Sequence, residues 1–219
     1  LKTLIFSMEM SSIELGERFI SSESQVETTA LHYKQQDQSM WERLMKSCNK
    51  LYNIPIILDT APALTIVELS AKAKRLKKKE DIKFVLVDYV QLMSGCGEKS
   101  RQLQVENISR GLKKLAAELD IPVIAVSQFS RPLKGQENRR PVLSDLRDSG
   151  ALEQDANVVL MIHDPDEKRK KEHLDAKGIP YQDVQMDELR EIIIGANRQG
   201  PKQDILVRWI GKYFAFSDL

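Results

Sequence analysis

Apolar residues fall into two rhythms along this chain. Short runs rich in Val, Ile and Leu recur at Leu4–Phe6, Pro55–Leu58, Val85–Val87, Pro122–Val126 and Ala156–Ile162. They lack the polar alternation of a half-exposed sheet, which predicts strands buried on both faces, as in a parallel sheet between helices. Between the runs, apolar positions return every three or four residues. Trp41, Leu44, Met45 and Cys48 mark one such face over 39–51, and Leu69, Ala73 and Leu76 mark another. Ile108, Leu112, Leu115 and Leu119 mark a third. Each predicts a helix with those residues in the core. Caps fit this division: Ser11 or Ser12 precedes a helix over 13–21 with Glu14 in its first turn, and Thr65 and Glu68 have capping-box spacing before a helix running to Lys79.

The remaining stretches are polar. Residues 94–101 form a Gly- and Ser-bearing loop, and 129–141 a longer basic one. Residues 143–155 are too polar for a core strand and too regular for a linker, so short helical turns around Gly150 are predicted. There backbone N–H groups and Arg147 could meet phosphates. Lys168–Lys177 reads as a charged, solvated helical insertion. A strand over 190–197 leads into Gly200-Pro201, and 205–210 with 213–216 forms an antiparallel pair around Gly211-Lys212. The fold class is α/β: a mostly parallel sheet flanked by helices, with an antiparallel edge near the C-terminus.

Composition narrows the function classes. At 219 residues with 42% hydrophobic content, one α/β domain can bury a core. The formal charge of +1 gives no global pull on nucleic acid. Basic residues are instead local, at 72–79, Arg139-Arg140 and 168–171, where solvated faces are the ordinary outcome. Cys48 and Cys96 have no spacing partner, and His32, His163 and His173 do not cluster with them, which argues against a disulfide framework or a zinc site. With no membrane-length apolar run and no signal-like start, the expectation is a reduced, cytoplasmic domain.

Chemistry is expected at the carboxyl ends of the strands, where open α/β sheets bind ligands. Asp88 ends the run 84–88, and Glu9 follows Leu4–Phe6 at the same edge. An aspartate there can hold magnesium, commonly through water, and a glutamate can activate a water attacking a phosphoryl group. Both positions equally suit carboxylates that satisfy loop amides. Gln128, after the 122–126 run, can donate to a phosphate and accept from a neighbour, or simply anchor its loop. No G-x-x-x-x-G-K-S/T phosphate loop occurs anywhere, and Lys99-Ser100 does not substitute for one.

Taken in order, Phe6–Met10, the DY-x-QLM element at 88–93, SQ-x-SR at 127–131, SDLR-x-SG-x-LEQDA at 144–156 and Glu191–Pro201 resemble the RecA-like motor domain of the DnaB-type replicative helicases of bacteria and their phages. The resemblance covers nearly the whole chain. It implies ATP and Mg²⁺ as cofactors, a homo-hexamer on single-stranded DNA, duplex unwinding at the replication fork, and primase and a helicase loader as partners, with no membrane. Glu9 then matches the carboxylate that polarises the attacking water, Asp88 the aspartate that positions magnesium, and Gln128 the residue coupling nucleotide to the DNA channel. Arg147, Asp148 and Gly150 match the loop that follows DNA phosphates. Lys99, Arg101 and Arg131 fall in the other two channel loops. Arg198 matches the arginine finger that reaches a neighbouring subunit's nucleotide; without the family it reads as a turn arginine bonding loop carbonyls.

Two departures follow from the same comparison. The family's K-x-R-x-G has Ala196 in place of its lysine, which removes one positive charge from the shared site, and Asp148 stands where Glu is commoner. The phosphate loop and the central strand leading into it are absent, so residues 1–219 are expected to be an N-terminally incomplete single domain that alone neither binds ATP well nor folds cleanly. Two rivals remain: a RecA-like recombinase filament, and a non-catalytic, ring-forming DNA-binding scaffold.

Overall fold

The computed structural model describes residues 1–32, 37–129 and 139–219, with the backbone alone at 147–149. Elements run in the order β1 (Thr3–Ser7), α1 (Ser12–Ser24), α2 (Thr28–Leu31), α3 (Gln38–Tyr52), β2 (Ile56–Asp59), α4 (Ile66–Glu80), β3 (Phe84–Asp88), α5 (Arg101–Leu119) and β4 (Val123–Ala125). They continue with α6 (Gly150–Asp155), β5 (Val158–His163), α7 (Glu167–Lys177), β6 (Leu189–Asn197), β7 (Asp204–Ile210) and β8 (Ala215–Ser217).

The first four strands form a parallel sheet in the order β2-β1-β3-β4, with Ser7 opposite Asp88 at its top. Its centre is dry: Leu4, Phe6, Val85 and Val87 pack with Leu69 and Ala73 of α4 and Ile108, Leu112 and Leu115 of α5. The helix starts follow the expected chemistry. Ser11 and Glu14 close a full capping box on α1, and Thr65 and Glu68 do so on α4. Gly111 permits the close crossing of α5 over α4, because a Cβ there would sit 2.2 Å from Ile66 Cγ1.

The other four strands form a separate antiparallel sheet, β5-β6-β7-β8. The antiparallel character therefore extends through a whole second sheet. Two runs depart from expectation. Runs 122–128 and 156–162 carry the pattern of buried strands, yet Ile124 and Val126 are 48% and 39% exposed, and Val158, Leu160 and Ile162 are 48–58% exposed. Among the described residues β4 pairs only with β3, and β5 only with β6, so each ends its sheet with a free hydrogen-bonding edge. Ile205 continues the bare aliphatic face of β5, through the Ile162–Ile192–Ile205 row.

Two helices also differ from the sequence reading. On α3 only Leu44 of the four marked positions is buried; Trp41, Met45 and Cys48 are exposed, since α3 packs against α1 through a narrow stripe. The helix α7 is no solvated insertion. Leu174 is fully buried with Leu189 and Leu206, and Arg169 and His173 reach Glu191 on β6. Glu191 has no exposed surface. It accepts from Arg169 Nε at 2.7 Å and Arg140 Nε at 3.1 Å and sits 3.1 Å from His173 Nε2, while Asp204 bridges both arginines at 2.7 and 2.8 Å. Alternation along a strand cannot foretell a buried carboxylate, because its partners come from residues 18 to 51 positions away.

Candidate functional site

At the top of the parallel sheet, β1 and β3 end side by side. Met8 N donates to Asp88 O at 2.9 Å, and Ser7 Oγ donates to Met10 O at 3.0 Å, folding the chain into the tight turn that carries Glu9. The Ser11 cap then launches α1 immediately, so Glu9 stands exposed beside the half-buried Asp88. Burial first, and the charge of Glu9 second, push the Asp88 carboxyl above its ordinary range, with Arg18 acting in the opposite sense. Among the described residues no donor satisfies the Asp88 carboxylate.

Asp59 at the end of β2 provides an internal control. Its carboxylate accepts from Ala61 N at 3.1 Å and Lys72 Nζ at 2.6 Å, the arrangement of a loop anchor. Asp88 has the opposite environment, a repulsive pair open at the sheet edge. Carboxylates at this sheet edge suit a hard divalent cation that takes one or two protein oxygens and completes its shell with phosphate and water. Among the described residues no cluster of three or more His, Cys, Asp or Glu is placed to cage a metal.

Arg18 was not singled out in the sequence. It lies on α1, stacks over the Phe214 ring at 4.7 Å, and places its charge within range of Asp88. Its neighbours come from the far C-terminus, so no local pattern announces it.

Gln128 follows β4 at the same edge and is exposed. Its backbone is held by a residue that sequence reasoning passed over, Gln91 of DY-x-QLM. Gln91 Nε2 donates to Gln128 O at 3.0 Å and to Ser127 Oγ at 2.8 Å, and Gln91 Oε1 accepts from Gln128 N at 3.3 Å. Arg101, at the start of α5, donates to the Gln91 carbonyl. Lys99 is exposed in the loop just before it.

The structure does not bring Arg198 to Glu9 and Asp88. Arg198 follows β6, donates through its guanidinium to Gln154 O and through its backbone N to Asn157 O at 3.0 Å. These contacts are at the foot of β5, where Ser109 Oγ also bonds Asp155 at 2.6 Å and Lys113 bonds Asn157. Gly150, at the start of α6, is exposed, and a Cβ there would meet nothing within 4 Å. Arg147 and Asp148 lie in the 3₁₀ stretch Leu143–Ser149, ordered by Asp145, which accepts from Val142 N at 2.7 Å and from Arg139. Their side chains lie outside the described residues, as does the whole of Arg131. Among the described residues no helix is long and apolar enough to cross a membrane.

Comparison with known proteins identifies the fold and the family. Residues 1–218 match the family model for the DnaB-like helicase C terminal domain. Replicative DNA helicase DnaB of Mycobacterium leprae is 43% identical over 167 residues, covering 76% of this chain and 28% of that protein. The Leifsonia xyli protein of the same name is 36% identical over 220 residues, covering 100% of this chain and 46% of its own length. The chain thus spans less than half the length of these curated relatives. Among solved structures, a DnaB-like replicative helicase described with its interactions with primase gives a TM-score of 0.85 at 28% identity, over 99% of this chain and 50% of that one. A second solved structure, of an isolated ATPase domain, gives a TM-score of 0.84 at 28% identity, over 99% of this chain and 74% of that one. The chain therefore belongs to the DnaB-like helicase C-terminal domain family and has its RecA-like α/β fold.

Proposed function

We propose that the complete protein is an ATP-driven hexameric translocase on single-stranded DNA that unwinds duplex at a replication fork. The observation that carries this is the half-buried Asp88 carboxylate, which takes no protein donor among the described residues and feels the charge of Glu9 at the top of a parallel sheet in a chain of this family. Asp88 would hold Mg²⁺, directly or through water, and the ion would neutralise charge on the transferred phosphoryl group. Glu9, exposed at the turn after β1, would accept the proton of an attacking water. Gln128 would touch the γ-phosphate on one side and pass its presence to the DNA-facing segments on the other.

Arg198 would act on the next subunit's nucleotide. Its position at the foot of β5, away from the Glu9–Asp88 pair, favours that role over service to its own site. Ala196 leaves it as the one cation of the K-x-R-x-G pattern. DNA phosphates would be held by Lys99, Arg101 and Arg131, with Arg147, Asp148 and Gly150 as the tracking loop. Phosphate contacts position a strand without reading its bases, so little sequence preference is expected.

The nest that cradles β- and γ-phosphates would come from polypeptide outside residues 1–219. The free edges of β4 and β5 suit one additional strand, which would join the two sheets. Primase is a proposed partner by extension from the solved structure described with it, and a helicase loader and a cytoplasmic setting are proposed from the family resemblance alone.

The test is ATP hydrolysis by the full-length protein with and without single-stranded DNA. Turnover is expected to rise roughly tenfold with DNA, a coupling of ordinary size for linked sites. Turnover indifferent to DNA would remove the translocase reading.

A further inference from the structure

We infer that Gln91 is the positioning residue that joins the nucleotide-facing Gln128 to the DNA-facing loop at Arg101. The inference rests on the functional reading above and adds to it the part through which the two sites communicate.

The β3–β4 ladder runs out at the sheet top. Val126 N still donates to Val87 O at 2.9 Å, and Val90 N to Val126 O at 3.0 Å. Beyond that the β3 chain turns into the 3₁₀ stretch Val90–Leu92 and its backbone no longer faces β4. The Gln91 side chain takes over. A carboxamide is planar and carries both an acceptor and donors, like a peptide group. Gln91 uses it as one, accepting from Gln128 N at 3.3 Å and returning a bond to Gln128 O at 3.0 Å. This two-point pairing extends the ladder by one rung and fixes the direction in which Gln128 leaves the sheet. The third bond, to Ser127 Oγ at 2.8 Å, fixes the plane of the amide.

The main chain of the same residue faces the other way. Arg101 donates to Gln91 O, and Gln104 Nε2 donates to Met93 O at 2.7 Å, so the first turn of α5 is fastened to the same short turn. Val90 is fully buried and Met93 nearly so, which makes the turn a rigid unit and not a slack connector. Asp88 lies three residues before Gln91. A shift of the β3 end that accompanies a change at the nucleotide is therefore delivered to Gln128 through the Gln91 side chain and to Arg101 through its carbonyl. Methionine matches glutamine in length but offers neither bond, and glutamate keeps only the acceptor toward Gln128 N.

The experiment uses the full-length protein and measures ATP turnover with and without single-stranded DNA for wild type, Gln91→Met, Gln91→Glu, Gln128→Ala and the Gln91→Met/Gln128→Ala double variant. Thermal unfolding and hexamer formation serve as controls for folding. Gln91→Met is expected to lower the ratio of DNA-stimulated to basal turnover by about tenfold. Its effect should fall on kcat more than on KM for ATP, and Gln91→Glu should lie between it and wild type. Because Gln91 acts through Gln128, the double variant should match Gln128→Ala within about twofold. Full DNA stimulation in Gln91→Met or Gln91→Glu overturns the inference, and so do losses that multiply in the double variant. A wild type that DNA does not stimulate overturns the functional reading and the inference with it. A stimulated wild type beside an equally stimulated Gln91→Met overturns the inference alone.

Discussion

Asp88→Asn in the full-length protein is expected to cut ATP turnover by roughly 10²–10³-fold, the scale on which loss of one preorganised electrostatic group is felt. The same variant should unfold no earlier than wild type, and should gain stability in metal-free buffer at neutral pH. The reason lies in the direction of the Asp88 shift. Burial and the neighbouring Glu9 raise its folded-state pKa, so the folded protein binds this proton more tightly than the unfolded chain does. The ionised carboxylate therefore opposes folding once pH has risen through that raised value, and an amide of the same shape removes the opposition. Thermal unfolding with and without Mg²⁺ checks this, and only wild type should gain from the ion. A loop-anchoring aspartate would give the reverse pattern, as Asp59→Asn should, with its bonds to Ala61 and Lys72 weakened.

Glu191→Ala carries the largest expected effect on stability. Breaking a buried ion pair by removing one partner costs about 3–5 kcal/mol, because the remaining charge is left uncompensated. Arg140 and Arg169 are each about one-third exposed and keep Asp204, so the lower end, about 3 kcal/mol, applies here. For a domain of this size that lowers Tm by roughly 6–12 °C. Acid should act on the same network. Burial alone would raise the Glu191 pKa, but bonds from Arg140, Arg169 and His173 outweigh it and the net shift is downward. Its contribution is therefore complete above the ordinary carboxylate value of 4.5 and lost as pH falls through the depressed one. His163 is depressed from 6.5, chiefly by burial, so the unfolded chain takes up its proton first and stability begins to fall below that pH. Melting temperature against pH should decline in two stages in wild type. The lower stage should shrink in Glu191→Ala, leaving the part that belongs to other depressed carboxylates such as Glu14, Glu68 and Glu80. Arg140 ends the Arg131–Arg140 region proposed above to face the DNA channel, so weakened DNA binding is expected alongside the stability loss.

What could be read from the sequence was what is encoded locally. The run 84–88 names its own strand and end residue, Thr65-x-x-Glu68 names its helix start, and Ser11 or Ser12 before Glu14 places another to within a residue. The 3.6-residue rhythm of Ile108, Leu112 and Leu115 names the face of α5 that becomes core. Glu9, Asp88 and Gln128 could be assigned to one sheet edge because strand ends are countable along the chain. What escaped depends on partners distant in sequence. Gln91 matters through Gln128, and Arg18 through Phe214 and Asp88, so neither stands out from its neighbours. Glu191 reads as a polar error in an apolar strand until Arg140 and Arg169 arrive from two other elements. The exposed runs at Ile124 and at Val158–Ile162 are apolar enough for a buried centre, but burial also requires a layer packed on each face of the sheet, which a local run does not encode. Trp41 and Met45 have helical spacing, yet α3 has too little to pack against for all of its apolar stripe to be covered.

The claim that unites Asp88, Glu9 and Arg198 is that each active site is shared between two subunits. Mixing subunits tests it most directly. Asp88→Asn and Arg198→Ala are each expected to be inactive as pure full-length hexamers. When the two are co-assembled, interfaces form in which an intact Asp88 faces an intact Arg198, and DNA-stimulated ATP turnover should return. Mixed hexamers as inactive as their parents would place Arg198 in service to its own subunit and contradict the shared site.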